Sequence, residues 1–348
     1  MSDITRETLT REEVISVIEG KGKASRVPMY YHAWIHEGVF GDRAPIAREY
    51  LNEYPFDFEI IIPSLPDKYN APDDDKSYRF MHRDPLETES TNKALDAQTS
   101  LMMEEIDDFV ADMPNANYHG MWPFECGEKK KYRVMYWWYW LFERHWWLRG
   151  MENALVDYYE YPDETHKLYS ALTDFYIGVI RNAKERFDID GVFITDDIGT
   201  QKSPFFSIEI FREFFKPYYA KLIKAAHEMG VHVWMHTCGN VTNFIEDLIE
   251  IGLDVIHPIQ KYSMDEVEIA KRFSDRITFL AGLDVQRIVP EGSTEDVRKE
   301  IRHLIDTYQL DSGRLILTLG NQATSDCPTD NLKAFLDETY EYGKIKCK

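Results

Sequence analysis

Five short apolar runs in the second half of the chain, 191 to 196 (GVFITD), 231 to 236 (VHVWMH), 254 to 257, 276 to 281 (RITFLA) and 314 to 319 (RLILTL), stop at polar residues. The first four lead into segments with the apolar spacing of a helix, from Ser207 to Met229, Val241 to Ile251, Met264 to Phe273 and Thr294 to Leu310. A strand that feeds a helix and then another strand returns in the same direction, so this alternation dictates a parallel sheet covered by helices. Earlier runs at 27 to 34, 57 to 63 and about 117 to 122 raise the expected strands to eight. Eight such units predict an α/β fold closed into a (β/α)8 TIM barrel, and 348 residues suit one such domain with long insertions in its first half. An open doubly wound sheet also satisfies the alternation.

Thr10 and Glu13 make a capping-box pattern before Val14, Ile15, Val17 and Ile18, and Gly20 and Gly22 follow, which predicts an amino-terminal helix over 10–19. Insertions are expected around 67–150: a polar stretch at 67–85, a helical pattern from Leu95 to Ala111, then YRVMYWWYWLFERHWWLR at 132–149, with nine aromatic rings in 18 positions. No one-sided helix buries that many rings, so this segment is either a helix buried on several sides or a wall for a flat ligand or a partner.

A formal net charge of -21 leaves no basic face for nucleic acid or an anionic membrane. The polar amino terminus and the lack of any long apolar run predict a cytoplasmic protein. In a reducing compartment the four widely spaced cysteines, Cys126, Cys238, Cys327 and Cys347, point to metal or thiol chemistry rather than disulfides.

In VHVWMHTCGN, strand alternation puts His232, Trp234 and His236 on one side, with Cys238 next in phase. Two residues of extended chain span about 6.6 Å, so an imidazole and a thiol can converge on one ion at the strand's carboxyl end, where barrel enzymes keep their active sites. Cys327 follows the last strand and reaches the same rim; three ligands of the His, Cys, Cys type leave one position open, as a catalytic Zn2+ requires. Asp196 and Asp197, after GVFIT, are candidates to orient a ligand, handle a proton or fill the open zinc position, or else to cap a helix. His257, Gln260 and Asp284 occupy equivalent rim positions, and Tyr30, His32 and Trp34 share a phase that either lines the pocket floor or fills the core.

On these residues, and on LRGMENALVDYYEYPD, ITDDIGTQKSPFFSIEIFREFFKPYY, HTCGNVTNFIEDLIEIGLDVIHPIQ and ITFLAGLD, the chain resembles the uroporphyrinogen decarboxylase superfamily, and within it the zinc-dependent corrinoid methyltransferases. The resemblance implies Zn2+ on His236, Cys238 and Cys327, and a corrinoid carried by a partner protein. It implies methyl transfer from a small-molecule donor, a methyl ether such as a methoxyaromatic or methanol, to Co(I) of that corrinoid; the alternative is transfer from methylcobalamin to a thiol such as coenzyme M. The decarboxylases carry arginines soon after the first strand, whereas here MYYHAWIHEGVFGD has none before Arg43, which leaves decarboxylation a minor alternative. A zinc- or corrinoid-binding accessory protein is the non-enzymatic alternative.

Overall fold

The structure, a computed structural model, describes residues 6–31, 34–54, 56–67, 70–80, 100–309 and 312–347. Seven strands form one parallel sheet in sequential order: β1 (Phe58–Ile61), β2 (Tyr132–Trp137), β3 (Gly191–Thr195), β4 (His232–His236), β5 (Val255–His257), β6 (Thr278–Leu283) and β7 (Leu315–Leu319). The eighth position is filled by a single bridge rather than a strand. Met29 pairs in parallel with Leu317, and the Tyr30 N–H donates to Leu317 O at 2.8 Å. On its other side the Met29 N–H donates to Asp57, at the foot of β1, at 2.9 Å. Pro28, which has no N–H to give a ladder, sits at the start of this segment. A buried Arg26–Asp57 ion pair (2.6 Å) clamps the closure from outside.

The strand expected at 117 to 122 is instead a 3-10 turn, His119–Met121, with Gly120 at its centre and Pro123 soon after it, and the second strand is the start of the aromatic segment. Its period is hidden because both faces of a parallel strand are buried. Tyr132 and Tyr136 turn inward, to Trp234 at 5.7 Å and Phe193 at 5.2 Å between ring centroids, while Trp137 turns outward and stacks on Tyr176 of the helix Pro162–Phe187 at 5.3 Å. The remaining rings belong to a turn and to the buried helix Phe142–Arg149. Of the helical pattern at Leu95 to Ala111, the described part forms a 3-10 turn, Met103–Glu105, and the helix Ile106–Ala111, and residues 95–99 lie outside the described residues.

The other elements follow the sequence pattern. The helix Arg11–Glu19 carries the Thr10–Glu13 capping box, and Ser293 caps Thr294–Tyr308 in the same way. Inside the barrel, Tyr30 packs against Phe58, Trp234 and Phe193 at 5.1, 5.6 and 5.8 Å. It fills the core. Among the described residues no helix is long and apolar enough to cross a membrane.

Candidate active site

The parallel register sets Thr195, His236 and His257 side by side at the carboxyl ends of β3, β4 and β5. His257 Nε2 lies 3.0 Å from Leu319 O, and a carbonyl only accepts, so the proton of His257 sits on Nε2 and its Nδ1 is an acceptor. His236 Nδ1 lies 2.7 Å from that atom and must be the donor. The lone pair of His236 Nε2 is thereby left facing Cys238 Sγ at 3.3 Å and Asp197 Oδ1 at 3.5 Å. Burial lowers the affinity of both imidazoles for a proton, keeping them neutral, as a metal ligand and its orienting partner need to be. Trp34, fully buried, lies against both rings, 5.2 Å from His236 and 5.1 Å from His257.

After Cys238 the chain turns through Gly239, whose φ of +84° and approach to Gly199 exclude any side chain, since a Cβ would lie 2.4 Å from the Gly199 carbonyl. This contact presses the loop after β3 against the loop after β4, and the Cys238 N–H donates to Asp197 Oδ1 at 2.7 Å. The ligand atoms of Asp197, His236 and Cys238 consequently lie within 4.8 Å of one another. A neutral imidazole nitrogen, a sulfur and a carboxylate oxygen are a donor set that zinc accepts. Burial and then Asp197 push the Cys238 thiol well above its ordinary range, a direction that a bound cation would reverse.

Cys327 lies outside this group. Its loop is tied down by Ala323 N–H on Trp34 O (2.8 Å) and by Arg43, which donates to Cys327 O at 2.7 Å and Ser325 O at 2.5 Å. The buried thiol faces Pro328 O at 3.6 Å, and burial pushes it up to about 11.

Adjacent carboxylates have opposite assignments. Asp196 does not reach the site: fully buried, it accepts from the N–H groups of Leu141, Phe142 and Glu143 at 3.0, 3.2 and 2.8 Å and from the Tyr219 hydroxyl at 2.5 Å. It caps the helix Phe142–Arg149 from another strand, and its catalytic assignment gives way to a structural one. Burial pushes its carboxyl up to about 6 despite these donors.

Gln260 accepts the Gly239 N–H at 2.6 Å, and with Cys238, Lys261, Asp284 and Asn321 it lines a cleft of about 230 Å3 beside the cluster. Asp284 is occupied on its own loop, accepting from Gln286 N and Ile288 N at 2.9 and 3.3 Å. His32 lies outside the described residues. Sequence reasoning missed Glu143, buried at the start of its helix, where Thr195 Oγ1 donates to Oε2 at 2.7 Å. Burial, then Asp197 and Asp196, push its carboxyl well up. An acid inside so aromatic a run was the available signal.

Comparison with known proteins adds three findings. The family pattern "Uroporphyrinogen decarboxylase (URO-D)" matches residues 148–342, more than half of the chain. Two curated proteins named "Methylcobamide:CoM methyltransferase MtbA", from Methanosarcina mazei and Methanosarcina acetivorans, are 26% and 25% identical over 136 residues, and each match spans 38% of this chain and 38% of the relative. A solved structure described as "methyltransferase from Methanosarcina mazei" superposes with a TM-score of 0.60 at 12% identity, covering 97% of this chain and 99% of the other, a likeness of fold.

Proposed function

The chain belongs to the uroporphyrinogen decarboxylase family, and from that premise we propose that this single-domain cytoplasmic barrel is a zinc-dependent corrinoid methyltransferase. The observation that carries the reading is the convergence of His236 Nε2, Cys238 Sγ and the Asp197 carboxylate within 4.8 Å. His236 and Cys238 would hold the zinc, with Cys327 as the third ligand that the sequence motif implies and Asp197 as the carboxylate able to take the remaining position. Zinc bound there supplies a Lewis acid whose charge two thiolates largely cancel, suited to polarising an ether or alcohol oxygen or to lowering the pKa of a thiol.

The surrounding residues do the rest. His257 fixes the His236 tautomer and aims Nε2, and Trp34 keeps water from the inner side of both imidazoles. Glu143, whose Oε2 accepts from Thr195, has its carboxyl pushed up by burial and by the neighbouring Asp197 and Asp196, which favours a proton on that side chain. Decarboxylation of a polyanionic substrate is disfavoured by a net charge of -21 and by Arg43, which is spent on the carbonyls of the Cys327 loop.

The direction we favour is from a methyl ether, such as a methoxyaromatic, or methanol to Co(I) of a corrinoid on a partner protein. The aromatic side chains Trp138, Tyr139 and Trp147 around a neighbouring cavity support it. A second reading, methyl transfer from a methylated corrinoid to a thiol, is supported by the similarity to the two Methanosarcina methylcobamide:CoM methyltransferases. Supplying reduced corrinoid protein with a panel of ethers, alcohols and amines is expected to methylate the corrinoid. Failure with every donor, together with demethylation of methylcobalamin by a thiol, would reverse the direction.

A further inference from the structure

Arg144 is 2% exposed, yet its Nε and Nη1 have no hydrogen-bond partner, and among the described residues no carboxylate pairs with it. Its guanidinium carbon lies over the rings of Phe80, Trp147 and Tyr139 at 4.3, 5.0 and 5.4 Å. Such contacts offset part of the cost of burying a cation but satisfy none of its N–H groups. Arg144 lines a cavity of about 300 Å3 formed by residues 62–67, directly after β1, and by Trp137, Trp138, Tyr139 and Trp147 around the end of β2. That volume is at the lower end for small-molecule pockets and suits one substituted ring. The cavity adjoins the metal cluster through its wall: Trp138 lies 6.2 Å from Trp34, which packs on His236.

We propose that Arg144 binds the carboxylate of a flat aromatic monocarboxylate, whose ring lies among Ile62, Leu65, Trp138, Tyr139 and Trp147. A planar guanidinium with free N–H groups matches a carboxylate, and its burial makes an uncharged ligand a poor substitute because the cation would stay unpaired. The inference deepens the proposed reaction and rests on it in one respect: the methyl donor is then an aryl ether that also carries a carboxylate.

The test is ligand binding without corrinoid, read by calorimetry and tryptophan fluorescence on the zinc-loaded protein. The probes are 4-methoxybenzoate and the uncharged 4-methoxybenzyl alcohol. Loss of a charge-assisted hydrogen bond corresponds to about a 10- to 100-fold change in affinity. The benzoate is expected to bind at least about tenfold tighter than the alcohol, and Arg144→Met to remove that preference while leaving the alcohol's affinity unchanged. Arg144→Lys, which keeps the charge, is expected to restore part of it, and serves with the wild-type probe pair should Arg144→Met not fold. Equal affinity for the two probes, binding of neither, or the same loss for both in the variants would overturn the proposal. Benzoate binding without methyl transfer would contradict the proposed reaction instead, and demethylation of neutral ethers with no carboxylate preference would contradict only this inference.

Discussion

At the carboxyl ends of β3, β4 and β5 the functional groups sit on or directly after neighbouring strands, Asp197 after β3 and His236 and Cys238, two apart in sequence, at the end of β4, brought into line by strand register. At the ends of β1 and β2 they come from segments as far apart as 62–67 and 137–147, joined by the packing of a buried helix. The first region is fixed by backbone hydrogen bonds and two touching glycines; the second depends on carboxylates elsewhere that hold its helix in place. The difference teaches that one rim can carry a rigid ion-binding corner beside a pocket whose shape is supported indirectly, so the two should fail under different substitutions.

Asp196→Ala is expected to have the largest effect on folding. It strips the acceptor from three helix N–H groups and the Tyr219 hydroxyl, and breaking so buried a charged network costs about 3–5 kcal/mol. Urea unfolding measures it, and the neighbouring Asp197→Asn, which frees no helix end, is expected to stay within about 1 kcal/mol of the wild type. Similar losses for the two would erase the distinction between the regions.

Asp157→Asn comes next. Asp157 receives Arg149 at 2.7 and 2.8 Å and lies 3.0 Å from His145 Nε2, holding the helix Phe142–Arg149 from below. Burial pushes its carboxyl up, but the hydrogen bonds from Arg149 and His145 outweigh that and hold it below the ordinary range. A depressed carboxyl contributes stability that is present above its unfolded-state pKa of about 3.9 and is lost as pH falls through the folded-state value. The variant is expected to lose about 2–3 kcal/mol at neutral pH and to unfold less steeply in acid. An unchanged acid limb in thermal melts would remove Asp157 from this role.

His257→Gln acts on the other region. It leaves the ligands in place but releases the His236 ring, and losing such an orienting partner lowers metal affinity by about 10- to 100-fold. Competition with a zinc chelator reads the change. Smallest is Trp138→Ala: Trp138 is 47% exposed, so stability should move by no more than about 0.5 kcal/mol while 4-methoxybenzoate binding weakens.

Legibility in the sequence divides along the same line. The second half of the barrel could be read because its strands alternate with helices whose outer faces are polar, and because His236 and Cys238 share a strand phase. The β2 strand could not, since Tyr132 to Trp137 are buried on both faces and show no period. Asp196 and Asp197 were indistinguishable by position, and only the arrival of a helix from residues 142–149 separates them. Glu143 and Arg144 reach the rim through that same helix packing, which no local pattern encodes.

The central claim is a zinc site built on His236 and Cys238, and zinc stoichiometry by plasma mass spectrometry on purified protein tests it most directly. About one zinc per chain is expected in the wild type, little in His236→Ala or Cys238→Ser, and a loss in Cys327→Ser if the motif supplies the third ligand, as catalytic sites of three protein ligands require. Zinc loss in Asp197→Asn with Cys327→Ser unaffected would make Asp197 the third ligand. Full stoichiometric zinc retained in both His236→Ala and Cys238→Ser would contradict the account.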